Sequence, residues 1–403
     1  MRIGDGGSRQ RLHYWDFARA LFLVLGIPFH AAVAYSLTHE WSVSSPDKSQ
    51  VLTWLANFLH TFRMPGFFML AGMFSVMLLE RRGVRAWLRS RFLRLGLPLL
   101  SATLLILPFQ IVVSSISLGV TGAVPWAEVP VRMGHSLTHF GEPWISHLWF
   151  LWALIAYCVA LAVVYAALGG QGLRRRAQGL VAWIGANRLL SFSAFAAICQ
   201  LCAQAQTMIV SASPYYGNAV INYNLYAPYF AFGVVLFYSR TLHDLLLKPG
   251  FGSLAVGVAL VTASQLPPTG LLTHTLAVMA AIFGALLIVG FISSQARQHF
   301  SHPDGRVRKL VDASFTIYLF HHPVIFVLAT LFLLVDLPPV IEFSVIAPLA
   351  GLIAYAIHLG VRRSAILTLM FNGALPKPKR AAPAEDAGQP RTAPAERIFP
   401  ARG

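Results

Sequence analysis

The chain has 403 residues, of which 56% are hydrophobic and only 11% are charged. A soluble domain contains about 25% charged residues, so this composition excludes an ordinary soluble enzyme and favours a protein embedded in lipid. The formal net charge of +16 does not indicate nucleic-acid binding, because Lys and Arg occur in short clusters between apolar blocks and form no soluble basic face.

Long apolar blocks dominate the sequence, and a helix needs about 20 mostly apolar residues to cross a bilayer. We therefore predict an all-α membrane bundle of ten spans. The spans are expected at residues 17–37, 54–79, 93–117, 146–168, 190–210, 222–239, 251–267, 271–292, 313–335 and 340–360. The first block lacks a small-residue cleavage site, which indicates a retained helix and not a removable signal peptide.

Basic residues alternate between the two ends of these blocks. Clusters precede the first block and follow every second block, whereas the remaining loops hold little beyond Lys48 and Arg132. Ten spans with both termini in the cytoplasm fit every cluster. The chain then divides into a cytoplasmic segment (1–16), a membrane domain (17–363) and a cytoplasmic tail (364–403). The tail is rich in Pro, Ala and charge, and we expect it to be largely disordered.

Titratable side chains inside a span are costly unless they are paired or hydrated, so each one marks a candidate site. In the first block Arg19 and His30 are eleven positions apart. This spacing puts them within about 20° of one helix face and about 16 Å apart along the axis. His30 can take a proton from an attacking hydroxyl and return it to a leaving group. A structural histidine that follows the Pro28 kink is the alternative.

The second and third blocks add arginines. His60 and Arg63 share a face of the second block, and an arginine at that depth needs an anion or water. The anion is either a carboxylate of the substrate or a neighbouring acid in a structural ion pair. Arg91 and Arg94, three positions apart, open the third block on one helix face, which suits bidentate binding of phosphates. Ordinary topology charges are the alternative for this pair.

Histidines also occur in the fourth and ninth blocks. His147 opens the fourth block, and His321 and His322 are adjacent in the ninth. Neighbouring helical residues point about 100° apart, so we expect only one of the adjacent pair to face the interior of the bundle. The spacing of His and carboxylates found in zinc sites is missing, and we predict no metal.

The segment 118–145 is expected to be a long non-helical loop outside the membrane. Its Trp126, Trp144, His135 and His139 suit sugar recognition, although tryptophan at a helix end is also an ordinary interfacial anchor. The sequence contains no serine nucleophile elbow, P-loop or glycine-rich dinucleotide turn. Intramembrane carboxylates are few, which disfavours a proton-coupled transporter.

Taken together, these residues resemble the acyltransferase-3 family of ten-helix membrane acyltransferases. Arg19 and His30 match the family's pattern of Arg, ten residues and His in the first helix, and Arg91-Phe-Leu-Arg94 matches its Arg-x-x-Arg motif. Segments 62–68, 147–150 and 317–321 are also similar to family segments. The resemblance covers residues 11–363, and its motifs are specific in combination although each is weak alone.

The resemblance implies transfer of an acyl group from acyl-CoA to a carbohydrate hydroxyl in a bacterial inner membrane, with no tightly bound cofactor. His30 would act as the general base, and Arg19, Arg91 and Arg94 would bind the phosphates of the donor. The implied substrate-binding residues are His60, Arg63, His147 and His321. Arg63 would recognise an acyl carboxylate or steady an oxyanion. The expected partners are the donor, a polysaccharide acceptor and the lipid bilayer.

Within the family, the run 14–19 followed by Pro28-Phe29-His30 is most similar to a branch that transfers succinyl groups to osmoregulated periplasmic glucans. The usual Ser-Gly of the second helix is Ala71-Gly72 here, a small departure. Two other functions stay open. One is O-acetylation of another surface polysaccharide, and the other is transport of a glycan or small solute, which prolines inside helices such as Pro28 and Pro65 also suit.

Overall fold

The computed structural model describes residues 13–39, 41–184, 187–212 and 225–374, and the regular elements within these ranges are helical. The α-helices are α1 (His13–Val24), α2 (Gly26–Val33), α3 (Gln50–Arg82), α4 (Val84–Arg91), α5 (Leu97–Leu105), α6 (Leu107–Val120), α7 (Val129–Thr138), α8 (Trp149–Ile184), α9 (Arg188–Ala212), α10 (Ala227–Tyr238), α11 (Arg240–Leu246), α12 (Phe251–Ala263), α13 (Leu271–His299), α14 (Gly305–Phe332), α15 (Pro339–Val361) and α16 (Ala365–Asn372). A π-helical segment, Phe92–Gly96, joins α4 to α5, and two 3-10 turns precede α8.

The all-α membrane class is confirmed, and each of the ten predicted blocks overlaps helical structure in the described residues. Seven segments are long and apolar enough to cross a bilayer, and two further candidates are bent pairs. One pair joins α4–α5 to α6 at 40°, and the other joins α11 to α12 at 79°. The sixth block contains the 12-residue α10, and residues 222–224 of that block lie outside the described ranges. Ten spans with cytoplasmic termini remain a prediction.

The helix α3 lies at the centre of the bundle. Its most apolar stretch is 78% buried inside the protein, whereas that of α15 is 22% buried and leaves most of its surface for lipid. Two glycines allow α3 and α10 to cross backbone to backbone. A Cβ on Gly72 would overlap the carbonyl oxygen of Phe230, and a Cβ on Gly233 would overlap that of Met69. Close packing of the two backbones therefore explains why glycine follows Ala71 in the sequence.

The first predicted span is two helices and not one. The helix α1 ends at Val24, Leu25 forms a turn, and α2 begins at Gly26. Pro28 has no N–H, so it cannot donate to the carbonyl of Val24, which explains the break. The second helix ends at Val33, earlier than the predicted limit of 37, and a loop then leads to α3.

The expectation of a non-helical loop over 118–145 was wrong. The helix α7 occupies Val129–Thr138, with Pro130 in its first turn, where a missing N–H costs nothing. Trp144 then donates from its indole Nε1 to the carbonyl oxygen of Ser136 at 2.8 Å. This bond ties the segment that follows α7 back onto the helix.

The chain beyond the predicted membrane domain begins with one more helix. The helix α16 follows residue 363 and ends at Gly373, which has φ of +57°. The described structure therefore includes the first residues of the segment predicted as tail. Residues 1–12 and 375–403, which make up most of the two predicted terminal segments, lie outside the described ranges.

Candidate active site

Four histidines meet where α2, α14 and the start of α8 pack together. The ring centroid of His30 lies 5.3 Å from that of His321 and 4.6 Å from that of His322. His147 stacks on His322 with centroids 4.4 Å apart and ring planes within 15°. Packing has thus collected side chains from parts of the chain nearly 300 residues apart into one cluster, which we call the histidine cluster: His30, His147, His321 and His322.

The expectation that only one of the adjacent histidines faces the interior was wrong. His321 is 0% exposed and His322 is 2% exposed. The two rings do point in different directions, with planes 85° apart. The imidazole of His30 on α2 contacts both rings, although they project from α14 in different directions. His322 is therefore part of the candidate site, and helix periodicity on its own had excluded it.

Hydrogen bonds fix the tautomers of two members of the cluster. Nδ1 of His321 lies 3.1 Å and 2.8 Å from the carbonyl oxygens of Ile317 and Tyr318, so Nδ1 holds the proton and donates it. Nε2 of His321 is then an unprotonated acceptor, and it has no hydrogen-bond partner among the described residues. His147 has the opposite tautomer, because its Nε2 donates to the carbonyl oxygen of Leu319 at 3.2 Å.

His30 is the accessible member of the cluster. Its side chain is half-buried, whereas the other three histidines are buried. Nδ1 of His30 is itself buried and has no hydrogen-bond partner within the described part of the chain. Trp41, from the loop between α2 and α3, stacks over His30 with centroids 6.0 Å apart and also meets the edge of His322 at 5.3 Å. The sequence analysis did not single out Trp41.

Arg63 lies beside the cluster at the middle of α3 and is 5% exposed. Its guanidinium sits 4.6 Å from the ring centroid of Phe29, a cation–π contact. A Cβ added to Gly26 would lie 2.9 Å from Nη1 of Arg63 and 3.2 Å from Nε2 of His321. Both polar groups therefore converge on the bare backbone of α2, and Gly26 is a site residue that the sequence analysis missed.

A structural ion pair was the predicted alternative role of Arg63. Among the described residues, no carboxylate lies within salt-bridge distance of its guanidinium. Nε of Arg63 is buried and lacks a hydrogen-bond partner there. A buried guanidinium with an unused donor is suited to binding an anionic or polar group of a ligand.

His60 is linked to the histidine cluster through the ring of Phe29. Its Nε2 is 3.1 Å from the hydroxyl of Tyr226, and its ring stacks on Phe29 with centroids 5.2 Å apart. Phe29 in turn meets His30 at 4.6 Å. The ring of Phe29 thus lies between His60 and His30, and these two histidines do not contact the same point.

The predicted phosphate-binding arginines form a second group at the other end of the bundle. Arg91 ends α4 and lies 5.7 Å from the ring centroid of Trp87. Arg94 lies in the π-helical segment, which separates the pair by a wider turn than the α-helical spacing assumed. The charge of Arg91 is repelled by those of Arg19, Arg94 and Arg82. We call these four residues the arginine group; Arg82 had been predicted only as a topology charge.

Each arginine of this group is in a more open environment than Arg63. Arg94 and Arg82 are exposed, while Arg19 and Arg91 are half-buried. Arg19 pairs with Asp16 at 3.5 Å. The charge of Arg91 is repelled by three neighbouring cations, and such a concentration of positive charge suits a polyanionic ligand.

The end of α16 packs against the backbone that carries Arg94. A Cβ on Gly373 would overlap the carbonyl oxygen of Leu93 and the Cα of Arg94. In addition, the hydroxyl of Thr316 on α14 donates to Oδ1 of Asn372 at 3.0 Å. The helix that presents His321 is therefore connected through α16 to the backbone that presents Arg94.

Within the described ranges, no three or more His, Cys, Asp or Glu side chains are arranged to hold a metal ion. Imidazole lone pairs, a buried guanidinium and an outlying set of cations are the functional groups that the site offers. They are suited to proton transfer and to binding anions.

Comparison with known proteins yields one family and a consistent set of relatives. The profile of an acyltransferase domain, Acyl_transf_3, matches residues 12–359. The chain is 29% identical to glucans biosynthesis protein C of Shigella dysenteriae serotype 1 (strain Sd197) over 387 residues, 90% of this chain and 95% of that protein. It is 30% identical over 388 residues to the proteins of the same name from Escherichia coli O81 (strain ED1a) and strain K12, again at 90% and 95% coverage. No solved structure matches the chain.

Proposed function

The chain belongs to the Acyl_transf_3 acyltransferase family, and on that premise we propose that it transfers succinyl groups from cytoplasmic acyl-CoA to hydroxyls of a periplasmic glucan. The relatives named glucans biosynthesis protein C support a glucan as the acceptor. The bacterial inner membrane is the location that this reaction needs, because it separates a cytoplasmic donor from a periplasmic acceptor.

The observation that supports the proposal most strongly is the setting of His30. It is half-buried, it touches His321 and His322, and its Nδ1 has no hydrogen-bond partner among the described residues. A general base must reach its proton donor and must not be committed to a structural bond. The partial exposure of His30 supports the first condition and its unpartnered, buried Nδ1 supports the second, whereas His147 is held at Nε2 by a backbone carbonyl.

In the proposed reaction, His30 removes the proton from a glucan hydroxyl as the hydroxyl oxygen attacks the thioester carbon of the donor. The carbon–oxygen bond forms, the carbon–sulfur bond breaks, and the thiolate of CoA takes the proton from His30. The histidine therefore ends the cycle as it began. The nearby His321 and His322 would orient the imidazole of His30 by contact.

The donor would enter from the arginine group, with its phosphates on Arg19, Arg91 and Arg94. The helical rise between Arg19 and His30 corresponds to about 16 Å. A donor that spans this gap must have a long, narrow arm between its phosphates and its reactive carbonyl, as acyl-CoA has. No CoA is held permanently in this scheme, because the product must leave by the same opening.

The first experiment is mass spectrometry of periplasmic glucans from cells with and without the gene. We expect a succinyl increment that is lost on deletion, restored by the wild type and not restored by His30→Ala. A His299→Ala protein, altered at the exposed end of α13, should restore it fully. Restoration by a well-folded His30→Ala protein would remove the general-base role. Unchanged glucans on deletion would redirect the search to acylation of other surface polysaccharides or to transport.

Arg63 has two possible roles in this reaction, and the donor distinguishes them. If Arg63 binds the free carboxylate of a succinyl group, Arg63→Gln should reduce transfer from succinyl-CoA far more than transfer from acetyl-CoA. If Arg63 stabilises the oxyanion, both donors should lose about 10²–10³ in rate. Initial rates with the two donors, measured on purified protein in lipid nanodiscs, compare the roles directly. An unchanged rate with both donors would contradict a role in this step.

A further inference from the structure

A cavity of about 320 Å³ opens beside the histidine cluster, between the first half of α3 and the hairpin formed by α12 and α13. It lies at the end of the bundle where the loop before α3 is found, away from the arginine group. The polar residues that line it are Asn57, His60, Thr61, Ser264, Gln265 and His274. Alanine, valine and proline side chains complete the wall.

The lining identifies the chemistry of a ligand. None of the ten lining residues has a carboxylate, ammonium or guanidinium group. Asn57, Thr61, Ser264 and His274 supply amide, hydroxyl and imidazole groups to this wall. Such neutral groups both donate and accept hydrogen bonds. A neutral molecule with many hydroxyls fits this lining, whereas a phosphate would find no cation.

The cavity communicates with the proposed base through two contacts. His60 stacks on Phe29, which touches His30, so a single aromatic ring separates the wall of the cavity from the base. Asn57 receives a hydrogen bond from Nε2 of His39 at 2.8 Å in one tautomer, and His39 belongs to the same loop as Trp41. That loop therefore connects the cavity to the tryptophan that stacks on His30.

We propose that this cavity is an acceptor subsite, which binds a sugar ring adjacent to the ring that is acylated at His30. This inference rests on the proposed function. A volume of about 320 Å³ lies at the lower end of the roughly 300–1,000 Å³ of small-molecule pockets, which suits one sugar ring. The subsite holds the glucan in register, and His30 acts on its neighbour.

The test measures sugar binding apart from acyl transfer. A gluco-disaccharide is titrated against purified protein in lipid nanodiscs and followed by saturation-transfer NMR. We expect Gln265→Leu and Asn57→Leu to weaken binding by about three- to tenfold each, the effect of losing one hydrogen bond. Gln298→Leu, the same exchange at the exposed cytoplasmic end of α13, is the matched control and should bind as the wild type does.

Each outcome decides the inference. Absence of disaccharide binding by the wild type, or equal binding by wild type, Gln265→Leu and Asn57→Leu, would overturn the subsite. A phospholipid that copurifies with the wild type and is lost from the variants would overturn it as well, by assigning the cavity to lipid. If the variants weaken disaccharide binding but no acyl-CoA supports transfer, the sugar subsite stands and the proposed acyl transfer fails.

Discussion

The histidine cluster and the arginine group occupy opposite ends of the bundle and are constructed differently. Three of the four histidines in the cluster are buried, its rings contact one another, and two of its tautomers are fixed by backbone carbonyls. The arginine group is half-buried to exposed, the charge of Arg91 is repelled by the other three, and one member, Arg94, lies in the π-helical segment. Proton transfer needs fixed distances, whereas a donor that binds and leaves needs an open cationic surface. Substitutions at the histidine cluster should therefore lower kcat strongly. Those at the arginine group should raise the KM for the donor by a smaller factor.

Among substitutions that leave the reacting side chains in place, the largest effect is expected from Gly26→Ala. The added Cβ would lie 2.9 Å from Nη1 of Arg63 and 3.2 Å from Nε2 of His321, so at least one of these groups must move. A displacement of about 1 Å at a reacting centre costs about 10²-fold in rate. We expect a loss of that order in kcat with the protein still folded, measured by initial rates and a thermal melt.

Gly360→Ala is the matched control for that substitution, because a Cβ at Gly360 would meet nothing within 4 Å. It should leave kcat unchanged. Equal kcat values for the Gly26 variant and the wild type would show that the contact at α2 does not hold the reacting groups.

A smaller effect is expected at Arg94. Replacing it with Ala removes one of four cations while the others remain, so we expect the KM for acyl-CoA to rise about tenfold with kcat unchanged. The difference should shrink as salt is added, because exposed charges are screened beyond about 8 Å at physiological ionic strength. Steady-state kinetics at two salt concentrations measure both quantities. A fall in kcat with no change in KM would assign Arg94 to the chemistry and contradict the comparison.

The smallest effect is expected from Gly373→Ala, which pushes on the backbone of Leu93 and Arg94 from behind. The positive φ of Gly373 also disfavours Ala. We expect a rise of a few-fold in the KM for acyl-CoA, together with a lower melting temperature. Gly250→Ala, where a Cβ would have open space, controls for the exchange itself. A change in melting temperature without any change in KM would mean that α16 stabilises the fold and does not position Arg94.

Sequence patterns predicted the features that belong to a single helix. Block length located the helical segments, whereas the shared face of Arg19 and His30 stays a prediction, because these residues lie on the separate helices α1 and α2. Features that depend on contacts between several helices were not predicted. His322 was excluded because periodicity treats α14 as having one interior face, whereas the structure packs His30 and His147 against adjacent sides of it. Trp41 lies in a loop without periodicity, and Gly26 matters only because two distant side chains converge on it.

The burial of Arg63 at the centre of α3 also bears on how the chain enters the membrane. An arginine at the middle of a helix raises the free energy of insertion by about 2.5–3.5 kcal/mol. Its aromatic partner Phe29 is synthesised earlier, whereas Tyr226, which contacts His60, is synthesised about 160 residues later. We therefore expect the first hairpin to insert as a unit, with α2 shielding α3 at the translocon. The candidate site would then begin to form during synthesis, long before the helices that complete it exist.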